Sequence, residues 1–308
     1  MPGKRVLLVG DWAHRDFCEA ADWLAAQAEP TFTASVTAGL AAIRHAGAAN
    51  PLAETTAEPS AAQGDCQSAP PRLVPDVIVV AQSRPGQIRP LDVERLHAAS
   101  PLSRLVVLVG SWCEGELRSG RPCQGVIRVL WHQWQPRLMP FLQPGAAPIP
   151  GSWQLPRTAS LDERLACTVG PRWPRHEGLV AIHADTHPTF MALSEACHAG
   201  GYATVWHVSE ESVAASGVVA AVADGISCDT PGIRFLRQTI RCHRPAPVIA
   251  LLDFVRRQDL ELAKSEGVSA VVAKPFLVYD LLWHLDRSVA SSRVEQQPLA
   301  TDNSACWS

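Results

Sequence analysis

The sequence predicts an α/β protein built as two doubly wound, five-stranded parallel sheets in tandem. Three observations carry this. Short apolar runs rich in branched residues recur along the chain, as expected of strands buried on both faces of a parallel sheet. Helix-period segments separate them, and parallel neighbours require such crossovers. The 308 residues, 47% hydrophobic and 19% charged, exceed one typical domain and can bury a sizeable core.

In the first half the apolar runs are 5–9 (RVLLV), 76–81 (DVIVVA), 105–109 (LVVLV) and 126–130 (VIRVL), with helical patterns at 17–27, 91–99 and 136–142. In the second half they are 179–183, 203–207, 218–223, 248–252 and 270–273, with helical patterns at 188–199, 231–242, 258–266 and 277–288. Two stretches break the alternation. Residues 47–73 are rich in Ala, Pro, Ser and Thr without periodicity and read as an inserted loop. Residues 144–176 hold six prolines and read as a partly extended linker with one short helix at 161–167. The expected domains are therefore 1–143 and 177–290, followed by a polar, frayed tail at 291–308 that contains Trp307.

Composition narrows the function. Lys plus Arg number 27 against 30 Asp plus Glu, so the basic surplus of a nucleic-acid binder is missing. No stretch approaches the roughly 18 apolar residues of a membrane span, and the run at 6–9 is too short for a signal-peptide core. The nine cysteines form no Cys-x-x-Cys pair, which argues against a disulfide framework and a zinc ribbon. A soluble, cytoplasmic protein is expected. The first strand ends in Gly10-Asp11-Trp12, not a dinucleotide-binding glycine pattern, and the chain has no Gly-x-Ser-x-Gly elbow.

Residues 247–252 (PVIALL), then 258–267, then Ala270-Val-Val-Ala-Lys274-Pro275-Phe276, resemble the last third of a response-regulator receiver domain, a flavodoxin-like fold. In that family a strand ending in Thr or Ser precedes a helix and a strand ending in Lys-Pro. Residues 232–241 resemble its third helix, and the usual offset puts the phosphoacceptor aspartate on Asp224. That position is the carboxyl end of the central strand, where doubly wound sheets bind ligands. The acidic pair after the first strand maps to Ala184 and Asp185, and the short interval from Tyr202 to Asp224 implies a second helix shortened by about a turn.

The resemblance implies a phosphoryl acceptor at Asp224, Mg²⁺ held by Asp185 and Asp224, a phosphate-contacting Lys274, and a histidine kinase or other signalling protein as partner. Ala184 removes one acid and should weaken Mg²⁺ binding. Leu252 removes the coupling hydroxyl, and strand alternation puts Asp253 on the other face.

The first half fits the same frame with its chemistry removed. Asp11 follows Gly10 at the acidic pair, Ala81 takes the phosphoacceptor place, and Trp131 takes the lysine's. Ala81 to Trp131 spans 131 - 81 = 50 positions, and Asp224 to Lys274 spans 274 - 224 = 50. Asp11 to Ala81 spans 70 against 39 for Asp185 to Asp224, an excess of 31 that is close to the inserted loop's length.

The chain is thus expected to be a receiver-only two-component signalling protein with a pseudo-receiver as its first unit. It would act by protein–protein interaction, with phosphorylation at Asp224. The alternatives are a scaffold that is never phosphorylated and an enzyme on the same fold. Trp23 and Trp283 read as core residues. Trp131 and Trp134 form either a partner surface or the filling of a former active site, the second being favoured. His183-x-Asp185-x-His187 reads as a polar rim rather than a metal site, and Cys228 as an ordinary loop cysteine.

Overall fold

The computed structural model describes residues 4–45, 74–120, 122–143, 151–167, 176–207 and 215–296. The inserted stretch 47–73, Trp307 and residues 208–214, where the shortened helix is expected, lie outside them. The chain divides into two compact units, Met1–Trp134 with Leu155–Ala159, and Gln135–Gln154 with Ser160–Ser308.

The first unit holds β1 (Arg5–Val9), β2 (Glu29–Thr33), β3 (Val77–Gln82), β4 (Arg104–Val109) and β5 (Ile127–Leu130), all parallel, in the order β2-β1-β3-β4-β5. The second holds β6 (Leu179–His183), β7 (Ala203–His207), β8 (Val218–Ile226), β9 (Val248–Asp253) and β10 (Ala270–Lys274), in the order β10-β9-β8-β6-β7. Read from the other edge this is the same order, the flavodoxin-like winding in which the chain reverses direction beside the first strand. Every residue of β3 is buried, as are the last four of β1 and of β6. Each fully buried Val, Leu or Ile contributes about 1.5–3 kcal/mol.

The helices are α1 (Cys18–Gln27), α2 (Val36–His45), α3 (Pro90–Ala99), α4 (Glu116–Ser119), α5 (Trp134–Leu142), α6 (Leu161–Ala166), α7 (His187–Ala199), α8 (Thr230–His243), α9 (Arg257–Ser265) and α10 (Val278–Gln296). Asp229 and Thr186 cap α8 and α7 by accepting backbone N–H bonds from Gly232 and Thr189. Beyond Trp134, α5 belongs to the second unit, where the sequence reading ended the first domain at 143. Its Arg137 forms a buried two-point ion pair with Asp280 of α10, at 2.7 and 2.8 Å.

Five elements depart from the sequence expectation. β2, α2 and α4 were not anticipated; Glu29-Pro-Thr-Phe-Thr33 carries no branched apolar run, and its Pro30 is tolerated on an edge strand. The tail is not frayed from 291: α10 continues to Gln296, with Val289 buried and the Ser292 hydroxyl donating to the Pro245 carbonyl at 3.4 Å. β8 runs three residues past Ala223, through a bulge described below.

The ladders repeat in register. Val80↔Val107 and Val109↔Leu130 in the first sheet match Ala223↔Ala250 and Leu252↔Ala273 in the second, each residue shifted by 143 (223 - 80, 250 - 107, 252 - 109, 273 - 130). Val6↔Val77 matches Val180↔Ala220, where β3 to β8 again shifts by 220 - 77 = 143 but β1 to β6 shifts by 180 - 6 = 174. The difference, 174 - 143 = 31, is the excess already seen in the spacing of Asp11 and Ala81.

Candidate functional site

The carboxyl edge of the second sheet gathers the acids and the lysine. Asp224 stands in β8 at a break in register: Ala223 pairs with Ala250, but the next rung is Ile226 with Leu252, leaving one extra residue. Gly225 supplies it in the left-handed region at φ +67°. The corresponding Gln82 of the first unit (225 - 143 = 82) pairs with Val109 without a break. A bulge of this kind turns the side chain beside it, here Asp224.

The Asp224 side chain is only 10% exposed, and the Lys274 ammonium lies 2.6 Å from its Oδ1. Lys274 also reaches Oδ1 of Asp253 at 3.1 Å. Burial alone would lower the Lys274 pKa, but hydrogen bonds to Asp224 and Asp253, with their charges, outweigh it and hold the pKa above its ordinary value. Asp253 therefore also meets Lys274 at this edge. It is directly opposite Lys274 on the last rung of the β9–β10 ladder, and a long lysine there reaches sideways to it.

Asp185 is exposed just past β6, and its Oδ2 lies 3.6 Å from where a Cβ on Gly225 would stand. Ala184 is buried in the core, with its carbonyl accepting a 2.9 Å bond from Trp206 Nε1. Leu252 is buried at the hydroxyl position. Next to Asp253, Phe254 is 79% exposed with φ +46°, a conformation uncommon outside glycine and one that clusters at functional rims. The Lys274–Pro275 peptide is cis. Asp185 Oδ2 borders the space that Gly225 leaves open.

The matching edge of the first unit is closed. Gly10 has φ +110°, and a Cβ there would sit 2.9 Å from the Ala81 carbonyl oxygen. Ala81 is buried and Asp11 is exposed. Trp131 is 2% exposed and donates from Nε1 to Glu114 Oε1 at 2.7 Å, while Trp12 and Trp134 are also buried. Gln82 donates to Glu116, which pairs with Arg128 at 2.8 Å. Asp16 accepts both the backbone N–H and the hydroxyl of Ser111 at 2.9 Å, fastening the loop after β4. Trp131 and Trp134 therefore fill the edge and do not form an exposed partner surface. Trp283 is buried in α10, and Trp23 of α1 is half-buried against Trp134.

The remaining candidates separate. Asp185 and His187 are exposed, whereas His183 is buried against His207 and His243. Those two histidines were not singled out from the sequence; the in-register pairing of 179–183 with 203–207 is the signal that joins His183 to His207. Cys228 is half-buried, its thiol donates to the Asp259 carbonyl at 3.7 Å, and burial raises its pKa, the reverse of a reactive thiol.

A scan against protein-family models and a search of curated proteins find no match. Among solved structures, the chain is similar to a response regulator receiver domain protein from Clostridium thermocellum, at 14% identity and TM-score 0.34 over 38% of this chain and 98% of that one. It is similar to the chemotaxis protein CheY4 of Vibrio cholerae, at 18% identity and TM-score 0.32 over 37% and 99%. A third is the signal receiver domain of a modulated diguanylate cyclase from Desulfovibrio desulfuricans, at 17% and 0.34 over 39% and 100%. By its own strand order and ladder register, the chain has the fold of two receiver-like, flavodoxin-like units in tandem.

Proposed function

We propose that this is a receiver-type signalling protein whose second unit accepts a phosphoryl group on Asp224 and whose first unit contributes only protein contacts. The observation that carries this reading is the 2.6 Å pairing of Lys274 with Asp224 at the carboxyl edge. A carboxylate oxygen of Asp224 attacks the phosphorus of a phosphohistidine. The new O–P bond forms as the P–N bond breaks, and the imidazole leaves with the electron pair and takes up a proton. Lys274 meets the phosphoryl oxygens as a point charge. Asp185 and Asp224 would hold Mg²⁺, which when bound neutralises charge on the transferring group.

The donor is a histidine kinase or another phosphorylated signalling protein. With Leu252 in the hydroxyl's place, no hydrogen bond follows the phosphoryl group at that strand end. The output runs instead through Asp253. As Lys274 moves onto the phosphoryl oxygens, Asp253 loses its cation beside the exposed Phe254. The first unit has no carboxylate at Ala81 and accepts nothing.

Incubation with Mg²⁺ and acetyl phosphate tests the reading. An acid-stable, base-labile adduct is expected on the wild type and none on Asp224→Asn. No adduct at any donor concentration would leave the scaffold, a protein working by contact alone.

A further inference from the structure

On the second sheet, β6 and β7 pair in register up to their last rung, His183↔His207, which brings the two rings to 4.9 Å between centroids. α8 ends on His243, one turn beyond the buried Thr239. The His243 ring stands 5.0 Å from His183 and 5.3 Å from His207, and Nε2 of His243 is 2.7 Å from Nε2 of His183. One nitrogen from each of the three rings lies within 4.8 Å of the others. The residues are 5%, 5% and 4% exposed, in the order His183, His207, His243.

This packing is poor as a hydrogen-bonded cluster. A neutral imidazole has one donor and one acceptor nitrogen. Nδ1 of His207 and Nδ1 of His243 are buried with no hydrogen-bond partner. A buried polar atom without a partner costs about 1–3 kcal/mol. Three ring nitrogens converging from two strands and a helix can surround a cation.

We infer that His183, His207 and His243 form a binding site for a late first-row divalent transition metal, with Zn²⁺ as the default occupant. Imidazole suits this class of ion, whereas the carboxylate edge at Asp185 and Asp224 suits hard ions. Zn–N bonds of about 2.0–2.1 Å set tetrahedral ligand nitrogens about 3.3 Å apart. The spacings here, from 2.7 Å up to 4.8 Å, bracket that value, so small side-chain rotations close the site. Three protein ligands leave a fourth position for water or an added ligand. The sequence separations, 207 - 183 = 24 and 243 - 207 = 36, match no short metal motif, so the site arises only in the fold.

The test uses the full chain stripped with a chelator and titrated with Zn²⁺ against a chromophoric chelator. One tight equivalent is expected, weakened at least about tenfold in His207→Gln and in His243→Gln and unchanged in Asp224→Asn. X-ray absorption on the wild type, which needs no variant to fold, should report three nitrogens at about 2.0 Å and no sulfur. Sulfur ligation, no retained Zn²⁺, or unchanged affinity in both histidine variants would overturn the inference. Because Asp224→Asn keeps this site but removes the phosphoryl acceptor, the two readings fail separately.

Discussion

Lys274 joins two carboxylates, one nine-tenths buried and one largely exposed. Lys274→Met leaves Asp224 without its cation and is expected to lower stability by about 1–2 kcal/mol in urea unfolding, less than a fully buried pair would lose because the lysine is a third exposed. An unchanged midpoint would mean the pair contributes nothing. Trp131→Ala empties a buried site and leaves Glu114 without its donor, so a loss of about 3–5 kcal/mol is expected by the same measurement. Lys274 and Asp224 were legible from the Lys-Pro-Phe tripeptide and the helix offset, and Trp131 from the 50-residue interval that Ala81 and Trp131 share with them. Asp253 was not, because alternation within a strand says nothing of how far a neighbouring strand's lysine reaches.

The element that aims Asp224 is the bulge in β8. Gly225→Ala puts a side chain on a φ of +67° and is expected to cost about 1 kcal/mol and to weaken Mg²⁺ binding. Gly86, with φ +72° and nothing within 4 Å, is the control: Gly86→Ala should have a similar stability cost and leave Mg²⁺ affinity unchanged, by calorimetric titration. Equal Mg²⁺ affinity in both variants would separate the bulge from the site. Of the regular elements, the apolar strands and most helices follow from period and composition. β2 does not, since its five residues alternate weakly around a proline. Shifting β7 back by 174 positions lands on Glu29–Thr33, so the repeat holds information that the local pattern lacks.

Across the whole molecule, among the described residues, burial lowers the pKa of five histidines: to about 4 for His132, about 3 for His183, about 4 for His243 and about 3 for His284, and in the same direction for His207. A folded pKa below the unfolded one, about 6.5 for histidine, contributes stability that is complete above that value. It is lost as pH falls through the folded values. The urea midpoint should therefore hold above pH 7 and decline steadily from about 6.5 to 4; a midpoint level over that interval would contradict the burial of these rings. At this scale the tandem duplication was legible in the spacing, while the histidine cluster was not, because it depends on a helix end meeting two strands. The central claim is that one of two like units retains acceptor chemistry, and peptide mass mapping after treatment with acetyl phosphate and Mg²⁺ tests it most directly. The account predicts a single phosphoryl group, on the peptide carrying Asp224, and none on the peptide carrying Ala81. A phosphoryl group elsewhere, with Asp224 unmodified, would contradict it.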